Sequence, residues 1–263
     1  MFAILKQEIK LHFKSLLIWA LTVGGLGFVC ILMYTSMEGD MAQMADMFSH
    51  LGAFSDAFGM STLSISTLAG FFATEVGTVH GLGSAMYAAF LASCILSKEE
   101  DGHTGEFLYS LPVSRGKVVT AKCLSVLASV ILFTIICGVF YVLGFRCLGE
   151  EIPWKEMFRF LGSMLFMNVE VSAIAVLLSA CSGRNRMGIG LGLSLVFYAF
   201  DLIGRVVPAM KDYLFLEPFS FTNASEIFAG KNVPEYSILV AVLITAAGIV
   251  AAYTVYLKRD LAS

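Results

Sequence analysis

Residues 97–122 read SKEEDGHTGEFLYSLPVSRGKVVTAK, and residues 97–117 of this segment form a polar stretch in a chain that is otherwise largely apolar. An apolar run lies on each side of it, within 71–96 and within 118–145. Each run is long enough to cross a bilayer as a helix, which takes about 20 residues. The fold therefore depends on whether the apolar runs span a membrane, and the polar stretch then lies at a membrane surface between two of them.

The composition indicates a chain that folds in lipid. Of 263 residues, 58% are hydrophobic and 14% are charged, and the mean hydropathy is +0.82. Soluble domains have about 45–50% apolar and about 25% charged residues. The net charge of −3 argues against a nucleic-acid partner, because binding to the phosphate backbone requires a basic surface.

Six apolar runs are long enough to be membrane spans, and together they predict an all-α membrane protein with a single domain over 1–263. Backbone groups in hydrocarbon must pair within their own segment, so these runs are predicted to be helices. The alternating pattern of a membrane β-barrel is absent from the sequence. The predicted spans are residues 16–35, 71–96, 118–145, 158–181, 187–207 and 236–257.

The distribution of lysine and arginine predicts the orientation. With both termini in the cytoplasm, most of these cations fall on the cytoplasmic side, as the positive-inside rule requires. This arrangement places residues 97–117 inside the cell and residues 36–70 and 208–235 outside. The first span is longer than a secretory signal and lacks an A-x-A cleavage site, so we expect it to be retained.

Two flanking segments have helical periodicity outside the spans. Residues 1–15 combine an apolar and a cationic stripe, which predicts an interfacial elbow helix that contacts a partner, or else a positive flank that only fixes topology.

Met41, Met44 and Met47, followed by His50, lie in a second amphipathic stretch. We interpret it as an interfacial helix; a soft-cation site such as one for Cu(I) is the alternative. Residues 208–234 are predicted to include a short helix that dips back at the outer face.

Signatures of catalysis are missing from the sequence. It has no GxSxG, no HExxH and no Walker A motif, so we expect neither an enzyme nor an ATP-binding chain. The six cysteines show no CxxC spacing and are interpreted as buried thiols rather than metal ligands or disulfides.

Ionisable residues at membrane depth are candidates for function because burying them in lipid costs free energy. Asp201 and Arg205 are one helical turn apart and are predicted to pair. Glu170 is the deepest and either makes a structural hydrogen bond or takes part in transport. The full set of candidates is Glu75, His80, Glu170, Asp201 and Arg205.

The polar stretch itself predicts a short helix. Asp101-Gly102 favours a turn, and Thr104 is placed to cap a helix with Glu106 in its first turn. Pro112 ends that helix, and Ser114 is placed to cap the third span. Its apolar face is predicted from Phe107, Leu108 and Leu111.

This stretch resembles the cytoplasmic loop of ABC-2 type transporter permeases, whose pattern reads roughly KE…GT.E.L…PVSR..I…K. The segment LFLEPFSF at 214–221 is also similar to the outer proline-aromatic segment of that family, and the six-span layout agrees with it. Gly105, between Thr104 and Glu106, departs from the pattern. The matching residues are Lys98, Glu99, Gly102, Thr104, Glu106, Leu108, Pro112, Val113, Ser114, Arg115 and Lys122.

The resemblance implies a transport subunit of a bacterial inner membrane that works in export. It also implies pairing with a second permease chain, identical or paralogous. ATP and Mg²⁺ would bind to a separate cytoplasmic ATPase subunit, with no cofactor in this chain. The residues implied in ATPase coupling are Glu99, Thr104, Glu106, Phe107, Leu108, Pro112 and Arg115, with Arg184 and Arg186 as secondary candidates.

Three other classes remain open. The main alternative is a secondary transporter driven by an ion gradient through Glu170 and Asp201, although no inverted repeat is evident. An intramembrane enzyme and a regulatory membrane protein are the others. Neither the cargo nor the role of Glu170 follows from the sequence.

Overall fold

The computed structural model describes residues 1–49, 52–110 and 112–259, and within these ranges the side chains of 38, 40–44, 48, 49, 53, 54, 107 and 109 are not described. Every regular element among the described residues is helical. The elements are α1 (Phe2–Ser49), α2 (Ala53–Ala57), α3 (Leu68–Phe71), a π-helix (Phe72–Val76), α4 (Gly77–Ala92), α5 (Lys98–Asp101), α6 (Gly105–Ser110), α7 (Arg115–Leu148), α8 (Trp154–Ala180), α9 (Met187–Val206), α10 (Pro208–Lys211), a 3₁₀-helix (Leu214–Leu216), α11 (Ala224–Phe228) and α12 (Glu235–Lys258).

Five helices in the described ranges are long and apolar enough to cross a membrane, namely α1, α7, α8, α9 and α12. They coincide with five of the six predicted spans. Their ends follow local chemistry: Gly149 in the left-handed conformation (φ 73°) follows α7, and Pro208 follows α9. A glycine tolerates that backbone conformation, and a proline cannot continue a preceding helix.

The second predicted span consists of three consecutive helical segments. Residues 68–92 run through α3, the π-helix and α4 without a break, and α4 alone has 16 residues. Thr67 caps the start of this run, since its side chain accepts a hydrogen bond from the Gly70 amide. The π turns shift the side chains of Phe72 and its neighbours relative to a regular α-helix.

The N-terminal segment differs from the expected elbow. Residues 1–15 continue into the first span as one helix, α1, with no break at Ser15. A separate interfacial helix is therefore not confirmed. The periodicity of 1–15 is helical as predicted, but periodicity alone does not say where one helix ends and the next begins.

The core of the bundle centres on Phe72, which is fully buried. Its ring packs against those of Tyr141, Phe145, Phe160 and Phe228 at centroid separations of 5.2–5.6 Å. These aromatic pairs join the π-helix to α7, α8 and α11. The segment after α9 is thus anchored in the core.

Residues 208–234 form short helices, in agreement with the predicted helical turn. Asn223 caps α11, because its side chain accepts a hydrogen bond from the Glu226 amide at 3.3 Å. Phe219, Phe221 and Ile227 are buried, which explains why this segment is too apolar for a solvated loop.

The two ends of the bundle are distinct. At the terminal end, α1 and α7 begin and α12 ends. Glu8 on α1 pairs there with Lys122 on α7, and Arg115 at the start of α7 donates a hydrogen bond to the Arg259 carbonyl after α12. At the far end lie α2, α10, the 3₁₀-helix and α11, where Tyr34 on α1 donates a hydrogen bond to the Ser66 carbonyl at 2.7 Å. The polar stretch 97–117 belongs to the terminal end.

Candidate functional site: a buried ion-pair network under the polar stretch

Lys122, near the start of α7, is the centre of an ion-pair network at the terminal end. Its side chain is fully buried, and its Nζ lies 2.5 Å from Glu99 Oε2 and 3.5 Å from Glu8 Oε1. The same ammonium group donates a hydrogen bond to the Ile95 carbonyl at 2.5 Å. A buried ammonium is stable only with such partners, so Lys122 ties α1, α7 and the residues around α5 together.

The Glu8 carboxylate on α1 contacts Lys122 and a second cation of this network. That cation is Lys98 at the start of α5, and His12, one turn further along α1, lies 3.3 Å from Glu8. Only 4% of Glu8 is exposed. Ion pairs therefore hold the beginning of α1 against the polar stretch.

Arg259, directly after α12, fixes the other side of the polar stretch. It pairs with Glu100 and donates a hydrogen bond to the Ala180 carbonyl at the end of α8, at 2.8 Å. Arg115 in turn donates to the Arg259 carbonyl at 2.9 Å. Three acids, Glu8, Glu99 and Glu100, thus meet three cations, Lys98, Lys122 and Arg259.

Backbone contacts complete the attachment. Ser179 Oγ on α8 accepts hydrogen bonds from the amides of Leu96 and Ser97, at 2.9 and 3.1 Å. These amides lie between α4 and α5 in a buried part of the chain, where a backbone N–H needs an acceptor. The first half of the polar stretch is therefore attached to α1, α7, α8 and the end of α12.

The structure divides the predicted coupling residues into two groups. Glu99 is directed inward at Lys122, and Arg115 is half-buried against Arg259. Thr104, Glu106 and Pro112 are exposed, and Leu108 on α6 is half-buried. The side chain of Phe107 and all of Leu111 lie outside the described residues.

The predicted caps are only partly realised. Thr104 precedes α6, and its hydroxyl donates to the Glu99 carbonyl at 3.4 Å. Ser114 precedes α7 but makes no side-chain capping bond. At the neighbouring α8–α9 turn, Arg184 and Arg186 are exposed, and Arg186 donates to Ser182 Oγ at 2.9 Å.

Sequence reasoning missed Glu8, Glu100 and Arg259 as members of one site. Glu8 had a recognisable signal, since it is an acid among the lysines of an amphipathic segment. Lys122 was recognisable from the sequence, because it lies near the start of an apolar run and matches the pattern of the resembling family. Nothing local marks Arg259 as a partner of Glu100, which is 159 residues away in sequence.

The structure places the intramembrane candidates in different surroundings. Asp201 and Arg205 pair as predicted, in a two-pronged contact with Nε–Oδ1 and Nη2–Oδ2 distances of 2.8 and 2.7 Å. His80 is fully buried with its Nδ1 2.7 Å from the Tyr141 hydroxyl, whereas Glu75 is exposed on the π-helix. Glu170 is 1% exposed, and its Oε2 has no hydrogen-bond partner among the described residues.

The methionine-rich stretch is only partly described. His50 and the side chains of Met41 and Met44 lie outside the described residues, and Met47 is 60% exposed. Within the described ranges, no group of three or more His, Cys, Asp or Glu side chains is placed to hold a metal ion. The metal alternative for this stretch stays untested.

Two cavities of similar size differ in their lining. An apolar cavity of about 310 Å³ lies between α7, α8 and α12. A polar cavity of about 370 Å³ opens at the far end and is lined by Asp201, Arg205 and residues of the 208–234 segment. The Asp201–Arg205 pair thus faces a polar space rather than lipid.

The apolar helices, with large hydrophobic side chains exposed along α1, α7, α9 and α12, define a multi-pass membrane protein. Residues 2–261 match the family model described as ABC-2 family transporter protein, and the chain belongs to that family. A search among curated proteins returned no significant match. The protein is therefore a membrane permease of the ABC transporter class, a class that works with an ATPase subunit.

Proposed function

We propose that this chain is the permease subunit of an ATP-driven exporter and that its polar stretch docks on a separate cytoplasmic ATPase. The observation that carries the proposal is the division of the stretch into a buried and an exposed part. Glu99 and Glu100 anchor it to the bundle, while Glu106 and Pro112 are exposed. A surface that is rigidly held and also accessible suits the transmission of force from a partner.

The proposed topology has six spans with both termini in the cytoplasm. The continuous helical run 68–92 is about 37 Å long at 1.5 Å per residue, which is enough to cross the hydrocarbon core. The excess of lysine and arginine at the terminal end supports a cytoplasmic location of that end. Residues 36–70 and 208–235 are then extracytoplasmic, and the membrane is the bacterial inner membrane.

The proposed mechanism uses the ion-pair network as the connection between ATPase and spans. Closure of the ATPase subunits around ATP and Mg²⁺ moves α6, and α5 passes the movement to α1, α7 and α12 through Glu8, Lys122 and Arg259. Two permease chains face each other in the membrane, and their movement opens the path outward. Lipid and the second permease chain cover the exposed apolar faces of α9 and α12.

Co-purification with the candidate ATPase tests the docking surface. We expect the triple variant Glu106→Arg, Phe107→Ala, Leu108→Ala to lose ATPase binding by about tenfold or more, because anchors at the centre of an interface contribute about 2 kcal/mol each. Glu150→Arg, an exposed charge reversal at the far end, is the matched control and should bind as the wild type does. Equal binding by the triple variant and the wild type would show that the docking assignment is wrong.

A transporter driven by an ion gradient is the second candidate. It is favoured by the buried Oε2 of Glu170, which has no hydrogen-bond partner in the part of the chain that the structure describes, and by the polar cavity at Asp201. Reconstitution in liposomes separates the two functions. Cargo flux that requires an ion gradient and proceeds without ATP and the ATPase subunit would support this second candidate over the first.

A further inference from the structure

Glu217 lies in the segment between α9 and α12, directly after the 3₁₀-helix, and it is almost fully buried. It is 4% exposed, and its Oε2 accepts a hydrogen bond from the Phe219 amide at 2.9 Å. Its Oε1 has no donor among the described residues. A buried carboxylate oxygen that accepts no hydrogen bond costs free energy. This cost favours the neutral, protonated form of the Glu217 carboxyl group.

The carboxyl groups of Glu217 and of Asp201 on α9 are within interaction distance, and Phe219, two residues from Glu217, packs its ring against Tyr198 on the same helix at a centroid separation of 5.6 Å. Asp201 is 3% exposed, and both of its oxygens already accept from Arg205. Two facing carboxylates would both accept and neither would donate. Their contact becomes a hydrogen bond only when one of them carries a proton.

The surrounding charges do not neutralise the pair. Arg205 supplies one positive charge for two acids, and a third acid, Glu170 on α8, is close enough to act on Glu217. Glu226 on α11 pairs with Lys231 at 3.4 Å, and Glu235 at the start of α12 is exposed. Among the described residues, the titratable groups that act on this pair include Arg205, Glu170, Glu226 and Tyr198.

We propose that Glu217 and Asp201 form a proton-binding site, in which protonated Glu217 donates from Oε1 to ionised Asp201 and fastens the 208–234 segment to α9. The polar cavity of about 370 Å³ that reaches Asp201 connects the site to the solution at the far end. Deprotonation of Glu217 leaves two facing anions with one arginine and weakens the attachment of the segment. Burial, followed by the charge of Asp201, raises the pKa of Glu217 to about 10, which agrees with a neutral acid at pH 7.

Infrared spectroscopy of the purified protein tests the site directly. At pH 7 the wild type should show the carbonyl stretching band of a protonated carboxylic acid at an intensity that falls in Glu217→Gln. The matched control Glu235→Gln, an exposed acid at the same end, should keep the full band. A band of equal intensity in Glu217→Gln and wild type would overturn the proposal.

The pH dependence of thermal unfolding gives an independent readout. The folded protein holds a proton that the unfolded chain releases above about pH 4.5, so the stability falls as the pH rises from 5 to 9. In Glu217→Gln that fall should be smaller, because glutamine donates without titrating. A pH profile that is identical in both proteins would contradict the site.

Two further arms keep the test decisive. If Glu217→Gln does not fold, Asp201→Asn should also lose the acid band, since Arg205 then takes Glu217 as its counterion; retention of the band would count against the proposal.

Replacement of Na⁺ and K⁺ by N-methylglucamine should leave the melting midpoint unchanged. A drop in that midpoint together with a missing acid band would assign the pair to a metal cation and overturn the proton site.

Discussion

Lys122 shows how a single buried charge organises the terminal end. An ammonium group without exposure is tolerated because two carboxylates and a backbone carbonyl surround it. The free energy of desolvating such a group is large, and the ion pairs offset it without adding much net stability. The network therefore fixes the geometry of the polar stretch more than it adds to the stability of the fold.

Replacing Lys122 by methionine should destabilise the protein by about 3–5 kcal/mol, because Glu8 and Glu99 then lose their shared counter-charge in a buried site. Thermal unfolding in detergent measures the effect. Lys117→Met removes an exposed lysine on the same helix and should change the midpoint little. Adding Glu99→Gln to Lys122→Met should restore part of the loss.

If Lys122→Met and Lys117→Met unfold at the same temperature, the buried network does not contribute to the folded state in the way its geometry suggests. The double variant then should show no recovery either.

At the scale of elements, the packing of α4 against α9 depends on one glycine. A Cβ at Gly190 would lie 2.6 Å from Ser93 Oγ and 2.8 Å from the Ala89 carbonyl oxygen, whereas Gly188 and Gly192 have no such neighbour within 4 Å. The GxxxG spacing of Gly188 and Gly192 is visible in the sequence, but the close contact is made by the residue between them. A small residue at this point lets the two backbones approach.

Gly190→Ala should separate α4 from α9 and cost about 1–3 kcal/mol through overpacking. Gly188→Ala and Gly192→Ala are matched controls, and each should be neutral or more stable by up to about 1 kcal/mol, since alanine favours the helix. Melting midpoints of the three variants in one detergent give the comparison. A loss of similar size in all three would indicate that helix contact is not the cause.

At the scale of the whole molecule, the polar stretch is connected to both ends of the chain. Glu8 near the start of α1 and Arg259 after α12 hold its first half, and Ser179 on α8 accepts from its backbone. A displacement of α5 must therefore move several long helices together. In the proposed mechanism, this connectivity separates ATPase binding, which would use the exposed residues, from transmission, which would use the buried ones.

Glu100→Gln should leave ATPase binding within about twofold of wild type. Glu100 is buried, and the variant leaves the exposed residues of the proposed docking surface unchanged. The weaker contact to Arg259 should reduce the movement that ATP produces. Cys147 near the end of α7 and Cys181 are exposed, so the interpretation of all six cysteines as buried thiols is wrong for these two. Cys147 reports this movement through its rate of maleimide labelling with and without ATP, in a Cys181→Ser background.

Glu151→Gln, an exposed acid at the far end, serves as the control and should respond to ATP as the wild type does. A full ATP response in Glu100→Gln would show that transmission does not pass through the Arg259 contact.

The sequence by itself determined the helical membrane class, five of the spans as single helices, and the local pair Asp201–Arg205. These features follow from apolar length and from the helical repeat, which act over a few residues because backbone groups in lipid must pair within their own segment. It also identified the polar stretch as the place where charge is concentrated.

The tertiary structure decided which residues share a site. Arg259 with Glu100 and Glu8 with Lys122 meet only after segments distant in sequence have packed, and no local pattern encodes such pairs. It also decided that α1 continues through residues 1–15, and that Gly190 rather than its neighbours makes the close contact. The physical reason is the same in each case: a charge or a missing side chain acquires its role from the atoms packed against it, and these come from other helices.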